Sequence, residues 1–257
     1  MSSVAEPLTR RASRRRRPGR RRVTVLGVLG DLLLTAGVVV LLFVGWQLWI
    51  GDAIIGAKFK SEAGALTQEW AAAPVTPQET PASGPTTAAD PPALAQPGNG
   101  EVFGVIRIPR LGPDYQFKLA GGVSATVTLD PIGVGHYPDT AMPGQQGNFA
   151  IAGHRGSHGA PFADLPSLRV GDAVVVETPG GWYTYRFRNL EYVRPDGVGV
   201  LLPVPQEPEV QATDKLITMT TCSPRYGSAE RAIAYGVFES FTPRADGPPA
   251  SLSSGAA

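Results

Sequence analysis

The chain has 257 residues, a length typical of one or two domains, and its net charge of +1 hides a strong asymmetry. Residues 1–22 carry nine arginines and one acid, whereas the rest of the chain carries 14 basic and 21 acidic residues. A basic tail of this kind can bind nucleic acid, but the apolar segment behind it argues against a nucleic-acid partner. The single cysteine, Cys222, excludes a disulfide within the chain.

An uncharged stretch from residue 32 to residue 50 predicts a membrane anchor. As a helix it spans about 28 Å, close to the hydrocarbon thickness of a bilayer. Trp46 and Trp49 stand at its far end, where indole rings favour the headgroup region. We therefore predict a transmembrane helix over 23–50, with a cytoplasmic tail over 1–22 and the remainder outside the cell, by the positive-inside rule. A cleaved signal peptide is the alternative, although the run is long for one.

Residues 51–100 are expected to connect the anchor to a folded domain. The stretch 53–73 has apolar residues at imperfect helical spacing and predicts a short amphipathic juxtamembrane helix. These apolar residues are Ile55, Phe59, Leu66 and Trp70. Seven prolines interrupt 74–100, so this part is expected to be an extended, semi-rigid linker.

A single domain is predicted over 101–243, followed by a disordered tail over 244–257. Its signals are those of strands separated by glycine and proline turns. Strands are predicted over 102–108, 115–119, 148–154, 173–177, 182–192, 215–222 and 231–240. The helical candidate is the short segment 161–168. This pattern predicts an all-β fold, either a barrel or a sandwich.

A lone cysteine in an exported domain is either an inert buried residue or a thiol kept for its reactivity. Cys222 ends a predicted strand, and a thiolate nucleophile needs a nearby base or positive charge. His154 closes another apolar strand, where a polar ring reaches the mouth of a barrel. Arg231 opens the strand after the cysteine, so antiparallel pairing would set it opposite Cys222, ready to donate to a carbonyl at the reacting centre. Thr220 and Thr221 are candidates to hold an oxyanion, with only Thr220 on the face of Cys222.

Each of these residues also has a simpler structural explanation. A cysteine at a strand end is more often a small buried hydrophobe, and an arginine that opens a strand is more often a solvated edge charge. A histidine after an apolar strand is as often structural as functional. Their combination in an exported chain with no other cysteine favours an enzyme. The alternative is a membrane-tethered, non-catalytic β-barrel that binds a partner in the cell envelope.

At these residues the sequence resembles the sortases, the membrane-anchored cysteine transpeptidases of Gram-positive bacteria. Their TLxTC signature at a strand end stands here as Thr218-Met219-Thr220-Thr221-Cys222, and methionine for leucine conserves volume and polarity. The family's histidine and arginine match His154 and Arg231. The resemblance covers roughly residues 101–241 and implies a closed sortase-type β-barrel of about eight strands with one or two short helices.

Further residues resemble the actinobacterial class E sortases. They are His136-Tyr137-Pro138, Pro143-Gly144, Gly147-Asn148-Phe149, Gly153-His154-Arg155 and Ala160-Pro161-Phe162. This resemblance implies a preference for LAxTG over LPxTG sorting signals, with Tyr137 helping to recognise the position after the leucine. No group of acidic residues resembles the calcium site of the class A enzymes, so no metal and no cofactor are predicted.

The resemblance implies two partners: a surface protein with a C-terminal sorting signal, and an amine of a peptidoglycan precursor. Cys222 then attacks the carbonyl carbon of the Thr–Gly peptide bond. His154 protonates the departing glycine amine, and Arg231 holds the substrate backbone and the oxyanion. Two other cell-wall enzyme classes fit less well. L,D-transpeptidases carry their cysteine directly after a histidine–glycine pair, where this chain has Ala160, and NlpC/P60 peptidases place the cysteine before the histidine.

Overall fold

The computed structural model describes residues 24–46, 50–73 and 91–253. The predicted basic tail, Trp49, most of the predicted linker and the last four residues lie outside this part of the chain. Helix α1 runs over Val25–Gly45, and within the described residues it is the helix that is long and apolar enough to cross a membrane. None of its residues is buried. In length and composition α1 therefore fits a single-pass membrane anchor.

Eight strands of the described chain form a closed barrel. In chain order they are β1 (Val102–Arg107), β2 (Gln116–Gly121), β3 (Gly133–His136), β4 (Gly147–Gly153), β5 (Ala173–Thr178), β6 (Gly181–Val193), β7 (Lys215–Ser223) and β8 (Glu230–Pro243). Around the barrel the order is β1-β2-β3-β4-β7-β8-β6-β5. The pairs β2–β3 and β4–β7 are parallel and the other six are antiparallel. The predicted all-β fold is confirmed, and it is the barrel rather than the sandwich.

Large apolar side chains on alternate positions of the central strands fill the barrel. Phe149 and Ile151 of β4 and Ile217 and Met219 of β7 belong to the core cluster and are inaccessible to solvent. Burying each such side chain contributes about 1.5–3 kcal/mol through the hydrophobic effect. Because successive strand residues point to opposite faces, the intervening residues of β4 and β7 lie on the outer face of the barrel. That outer face carries the candidate site.

A second helix, α2 (Gly51–Ala72), packs on the barrel beside β2. Its buried residues recur every three or four positions, as expected for one helix face, and they are Gly56, Phe59, Ala63 and Thr67. Phe59 is part of the barrel's core cluster. The predicted juxtamembrane helix thus exists over nearly the predicted residues, but it belongs to the packed domain rather than to a free connector.

The packed domain also begins before the predicted boundary at residue 101. Pro92 of the predicted linker accepts a hydrogen bond of 3.0 Å from the hydroxyl of Tyr183, and Leu94 packs against the core cluster. At the other end, residues 244–253 of the predicted disordered tail also pack on the domain. Ser251 is buried and Leu252 packs against Trp182 and its neighbours on β5. Both ends therefore cover apolar surface that the strands alone would leave open.

One secondary-structure prediction was wrong, and one strand was missed. The segment 161–168 is a set of turns with one short 3-10 turn at Leu165–Ser167, because Pro161 and Pro166 interrupt helical hydrogen bonding. The strand β3 was not predicted. It is four residues long and two of them are glycine, so it lacks the β-branched and aromatic residues that signal a strand.

Candidate active site

Cys222 lies near the end of β7 and is directly opposite Arg231 of β8 in the antiparallel ladder. The pairing predicted from the sequence is therefore confirmed. Directly opposed residues of antiparallel strands project to the same face, so the thiol and the guanidinium both belong to the outer face. Cys222 is half-buried.

His154 immediately follows β4, the parallel neighbour of β7. The ladder between these strands pairs Ala152 with Thr220. Continued by two residues, the same register sets His154 beside Cys222. Neighbouring strands lie about 4.8 Å apart. This register therefore sets His154, just past the end of β4, next to Cys222 of β7, which in turn pairs with Arg231 of β8. Residues separated by 68 and 9 positions in sequence are brought together by the register of β4, β7 and β8.

Asp130, which was not predicted as a site residue, holds the ring of His154. Nε2 of His154 lies 2.7 Å from Oδ1 of Asp130. An ionised carboxylate only accepts hydrogen bonds, so the N–H group at Nε2 is the donor of this hydrogen bond and Asp130 is the acceptor. This contact orients the ring and leaves Nδ1 as the nitrogen that is not bound to the carboxylate. Asp130 follows the single helical turn Ala125–Leu129 between β2 and β3.

Arg231 is anchored through one of its two terminal nitrogens. Nη1 donates to the backbone carbonyl oxygens of Ser228 and Glu230, at 3.1 and 3.0 Å. Nε and Nη2 donate to no group among the described residues. The guanidinium is thus fixed in place while one edge of its planar fork stays available to a ligand.

Arg155 ties the segment after β4 to the end of β7. Its Nη1 donates long hydrogen bonds to the carbonyl oxygen of Cys222 at 3.5 Å and to the hydroxyl of Ser223 at 3.4 Å. Its Nε donates to the carbonyl oxygen of Ala163 at 3.4 Å. Since Arg155 follows His154 directly, it links the loop of the histidine to the backbone of the cysteine.

Tyr137 and Thr220 meet on the outer face, next to Cys222. Their hydroxyl oxygens are 3.0 Å apart, and Thr220 shares the face of Cys222 by strand alternation. Thr221 points the other way, as predicted. Its hydroxyl donates to the carbonyl oxygen of Gly153 at 2.8 Å and is buried. The hydroxyl of Thr221 is therefore used in a hydrogen bond within the barrel. Only the backbone of Thr221 remains to contact a substrate.

The other two histidines differ from each other in environment. His136 ends β3 inside the domain, stacked on Phe149, and its Nε2 lies 3.1 Å from the carbonyl oxygen of Ala141. Burial lowers the pKa of His136 below its ordinary value, against a smaller opposing effect of the hydrogen bond to Ala141. His158 is exposed, as predicted for a loop residue, but its ring lies 4.9 Å from that of His154.

Comparisons with known proteins agree with this geometry. The family profile of the sortase domain matches residues 106–239. The sortase SrtE1 of Streptomyces coelicolor is 35% identical over 249 residues, which are 95% of this chain and 65% of that relative. This chain thus spans just under two thirds of that protein's length. The sortase SrtE2 of the same organism is 31% identical over 86% of this chain and 85% of its own length.

A solved structure has the same barrel. The crystal structure of sortase E1 from S. coelicolor with a tripeptide in its active site superposes with a TM-score of 0.56 at 37% identity. The match covers 62% of this chain and 99% of that one. Class E members are thus among the relatives, as the resemblance of the sequence predicts. On the domain match, the identity and the shared barrel, the chain belongs to the sortase family.

Proposed function

We propose that the protein is a transpeptidase that cleaves a C-terminal sorting signal between Thr and Gly and joins the new carboxyl end to a cell-wall amine. The observation that carries this proposal is the direct pairing of Cys222 with Arg231, together with the position of His154 two residues beyond the pair of Ala152 and Thr220. Membership of the sortase family supports the same reaction. A binding module would need none of these three groups to be aligned.

In the first half of the reaction, the thiolate of Cys222 attacks the carbonyl carbon of the threonine. The electron pair of the C=O bond moves onto oxygen, and the free donors of Arg231 stabilise that oxyanion. The tetrahedral intermediate collapses with rupture of the Thr–Gly bond. The departing glycine nitrogen takes a proton from the imidazolium of His154, and the substrate remains attached to sulfur as a thioester.

In the second half, an amine replaces the glycine. It attacks the thioester carbonyl, loses a proton to the now neutral His154 and expels the thiolate of Cys222. The products are a new amide bond and the enzyme in its starting state. Asp130 holds the imidazole in one orientation throughout, because its carboxylate remains hydrogen-bonded to Nε2.

We propose LAxTG as the preferred signal, with Tyr137 and Thr220 facing the residue after the leucine. Their paired hydroxyls form a polar surface beside Cys222. This surface suits the small alanine of LAxTG better than the rigid apolar proline ring of LPxTG. The partners are surface proteins that bear such a signal and the amine of a peptidoglycan precursor. The proposed topology is a single pass through the cell membrane over 23–50, with residues 1–22 in the cytoplasm and the barrel outside, because the arginines precede α1.

The test uses the full chain in a mild detergent with LAxTG and LPxTG peptides and a glycine-based amine, and follows products by mass spectrometry. The expected product is the ligated peptide, with LAxTG the better substrate. Cys222→Ala is expected to form no product and to keep the unfolding midpoint of the parent. Ligation at an unchanged rate by Cys222→Ala would overturn the proposal.

Iodoacetamide separates the proposed enzyme from a non-catalytic barrel. A reactive thiol at Cys222 should be alkylated in the native protein, with loss of ligation in proportion to labelling. If the native chain is alkylated only after denaturation and makes no product, the cysteine is structural and the binding module is the better description.

A further inference from the structure

Asp130, His154 and His158 form a cluster of three metal-binding side chains at the candidate active site. One ligand atom from each lies within 4.8 Å of the other two. Oδ1 of Asp130 is central: it is 2.7 Å from Nε2 of His154 and 3.7 Å from Nδ1 of His158. The two imidazole rings are tilted by 33°. Transpeptidation as proposed above uses His154 and Asp130 but gives no role to His158.

We propose that these three residues bind a divalent transition metal ion, with Zn²⁺ as the best match, and that the bound ion inhibits the enzyme. Zn²⁺ takes imidazole nitrogen and carboxylate oxygen at about 2.0–2.2 Å in a tetrahedron, which sets the ligand atoms roughly 3.3 Å apart. The 3.7 Å separation is close to this value. The 2.7 Å hydrogen bond must open by about half an ångström as its proton leaves.

The donor set decides which ion is bound. Two imidazoles and one carboxylate suit zinc and its first-row neighbours, whereas Ca²⁺ and Mg²⁺ prefer all-oxygen sites. Three protein ligands leave a fourth position for water, as in open zinc sites. The side chains of Asp130, His154 and His158 are 33%, 22% and 45% exposed, so an ion can reach them from solvent.

The loop of His158 is built to hold this residue beside the active site. His158 and Ala160 both have positive φ angles, of 51° and 43°, although neither is glycine. Between them, Gly159 packs so closely on Gly56 of α2 that a Cβ at Gly159 would lie 3.0 Å from the Cα of Gly56. Such backbone is kept only where the surroundings enforce it. Nδ1 of His158 is hydrogen-bonded only to the exposed hydroxyl of Ser157, at 3.1 Å, among the described residues, and that hydroxyl is free to rotate away.

The bound ion would block the proposed reaction directly. A metal on Nε2 of His154 takes the electron pair of that nitrogen and replaces its hydrogen bond to Asp130, so the ring can no longer form the imidazolium that protonates the leaving amine. The ion is an inhibitor and not a cofactor. Its binding departs from the sequence-based expectation of no metal, which was drawn from the lack of an acidic cluster resembling the class A calcium site and did not consider the two histidines beside Asp130. The inference that metal binds stands apart from the proposed function; only the inhibition rests on it.

The test measures Zn²⁺ binding to the full chain in detergent by isothermal titration calorimetry. One ion per chain is expected. His158→Gln and Asp130→Asn should each weaken binding by at least the roughly 10- to 100-fold that loss of a supporting partner costs at metal sites. The matched control is Asp164→Asn, which removes an exposed acid from the same region but outside the cluster and should bind zinc like the parent. Absence of binding to the parent chain, or full binding by both cluster variants, would overturn the proposal.

Two further measurements separate metal binding by the cluster from metal binding by the thiol, and separate metal binding from inhibition. Cys222→Ala should bind zinc as the parent does; loss of binding in this variant would assign the metal to the thiol instead and overturn the proposed ligand set. Ligation of the LAxTG peptide is then measured with and without zinc, each variant relative to its own metal-free rate. Zinc should inhibit the parent and Asp164→Asn and should inhibit His158→Gln at least about tenfold more weakly. If no ligation is seen at all, the calorimetry still decides whether the ion binds.

Discussion

Nε2 of His154 and Oδ1 of Asp130 are 2.7 Å apart, which makes Asp130 the residue that orients the candidate general acid. We predict that Asp130→Asn lowers kcat for ligation about 10- to 100-fold, because a hydrogen bond to a charged group contributes about 1.5–3 kcal/mol. The KM for the peptide should change little, since Asp130 contacts the ring of His154 and has no part in holding the peptide in the proposed mechanism. Steady-state kinetics with an LAxTG peptide measures both quantities.

The control for this prediction is the fold of the variant. Asn has nearly the same volume as Asp, so the midpoint of thermal unfolding should stay within a few degrees of the parent, as expected for a substitution at a half-exposed position. An unchanged kcat would mean that Asp130 does not position the ring during the reaction.

The three aligned residues were predictable from sequence because their positions follow from strand boundaries. Cys222 and Arg231 end and begin successive strands, and antiparallel pairing across a short connection leaves them opposite each other. His154 ends an apolar strand in the same way. Asp130 was not predictable, since it stands in the segment between β2 and an unrecognised β3, and only the three-dimensional path of that segment brings it to His154.

The dependence on three-dimensional contacts also explains why the packed domain begins before the predicted boundary at residue 101 and continues past residue 243. Prolines at 91, 92 and 97 are typical of a linker, yet Tyr183 donates to Pro92 and Leu94 covers part of the core. Local composition reports that a segment cannot form its own core. It does not report whether the segment covers the core of another. The contact of α2 with the barrel is hidden in the sequence for this reason, because Gly56 and Ala63 give a weak apolar signal where close packing requires small residues.

Arg231 offers the second prediction. Arg231→Lys should lower kcat/KM at least about 10-fold, because an ammonium cannot bind the two carbonyl oxygens of Ser228 and Glu230 and still present a planar fork to the substrate. The matched control is Arg188→Lys, which changes an exposed arginine elsewhere on the barrel and should keep the parental kcat/KM. Near-parental activity in Arg231→Lys would reduce the arginine to a support for the β7–β8 connection.

The hydroxyl pair of Tyr137 and Thr220 gives the third prediction. Tyr137→Phe and Thr220→Val each remove one partner of a 3.0 Å hydrogen bond, and each should lower kcat/KM for LAxTG peptides several-fold, by about 0.5–1.5 kcal/mol. The effects should not add, since the second substitution has no bond left to break. A double-mutant cycle on kcat/KM measures the coupling. Strictly additive losses would show that the two hydroxyls act separately.

The packing of α2 on the His158 loop gives the fourth prediction. Gly159→Ala adds a Cβ at a φ of +76°, within 3.0 Å of the backbone of Gly56. We expect it to destabilise the fold by about 2–4 kcal/mol, through strain and the clash together. Gly171→Ala is the matched control, because Gly171 has a similar φ of +92° but nothing within 4 Å of the added atom. It should cost only about 1 kcal/mol.

Both alanine variants are compared by thermal unfolding. For a domain of this size, each kcal/mol lowers the midpoint by roughly 2–4 °C, so Gly159→Ala should melt clearly below Gly171→Ala. Equal midpoints would mean that α2 yields to the added methyl group and does not press on the loop.

The buried His136 gives the last prediction, a pH dependence of stability. Burial lowers its pKa below the ordinary 6.5, against a smaller opposing effect of the hydrogen bond to Ala141. Between 6.5 and the lower folded pKa, the unfolded chain binds a proton at this ring and the folded protein does not. The free energy of unfolding therefore rises with pH across this window and falls as pH drops below 6.5.

His136→Gln removes this titrating group and should flatten the pH dependence. The measurement is chemical denaturation of the parent and the variant over a pH series that crosses 6.5, compared as slopes of unfolding free energy against pH. Slopes are used because the variant also loses packing against Phe149 and is less stable at every pH. All other titrating groups are common to both proteins, so their contributions cancel in the difference. Identical slopes would mean that His136 has the same pKa in the folded and unfolded states. A ring buried against Phe103 and Phe149 can have the unfolded pKa only if the barrel opens locally and admits water to the ring.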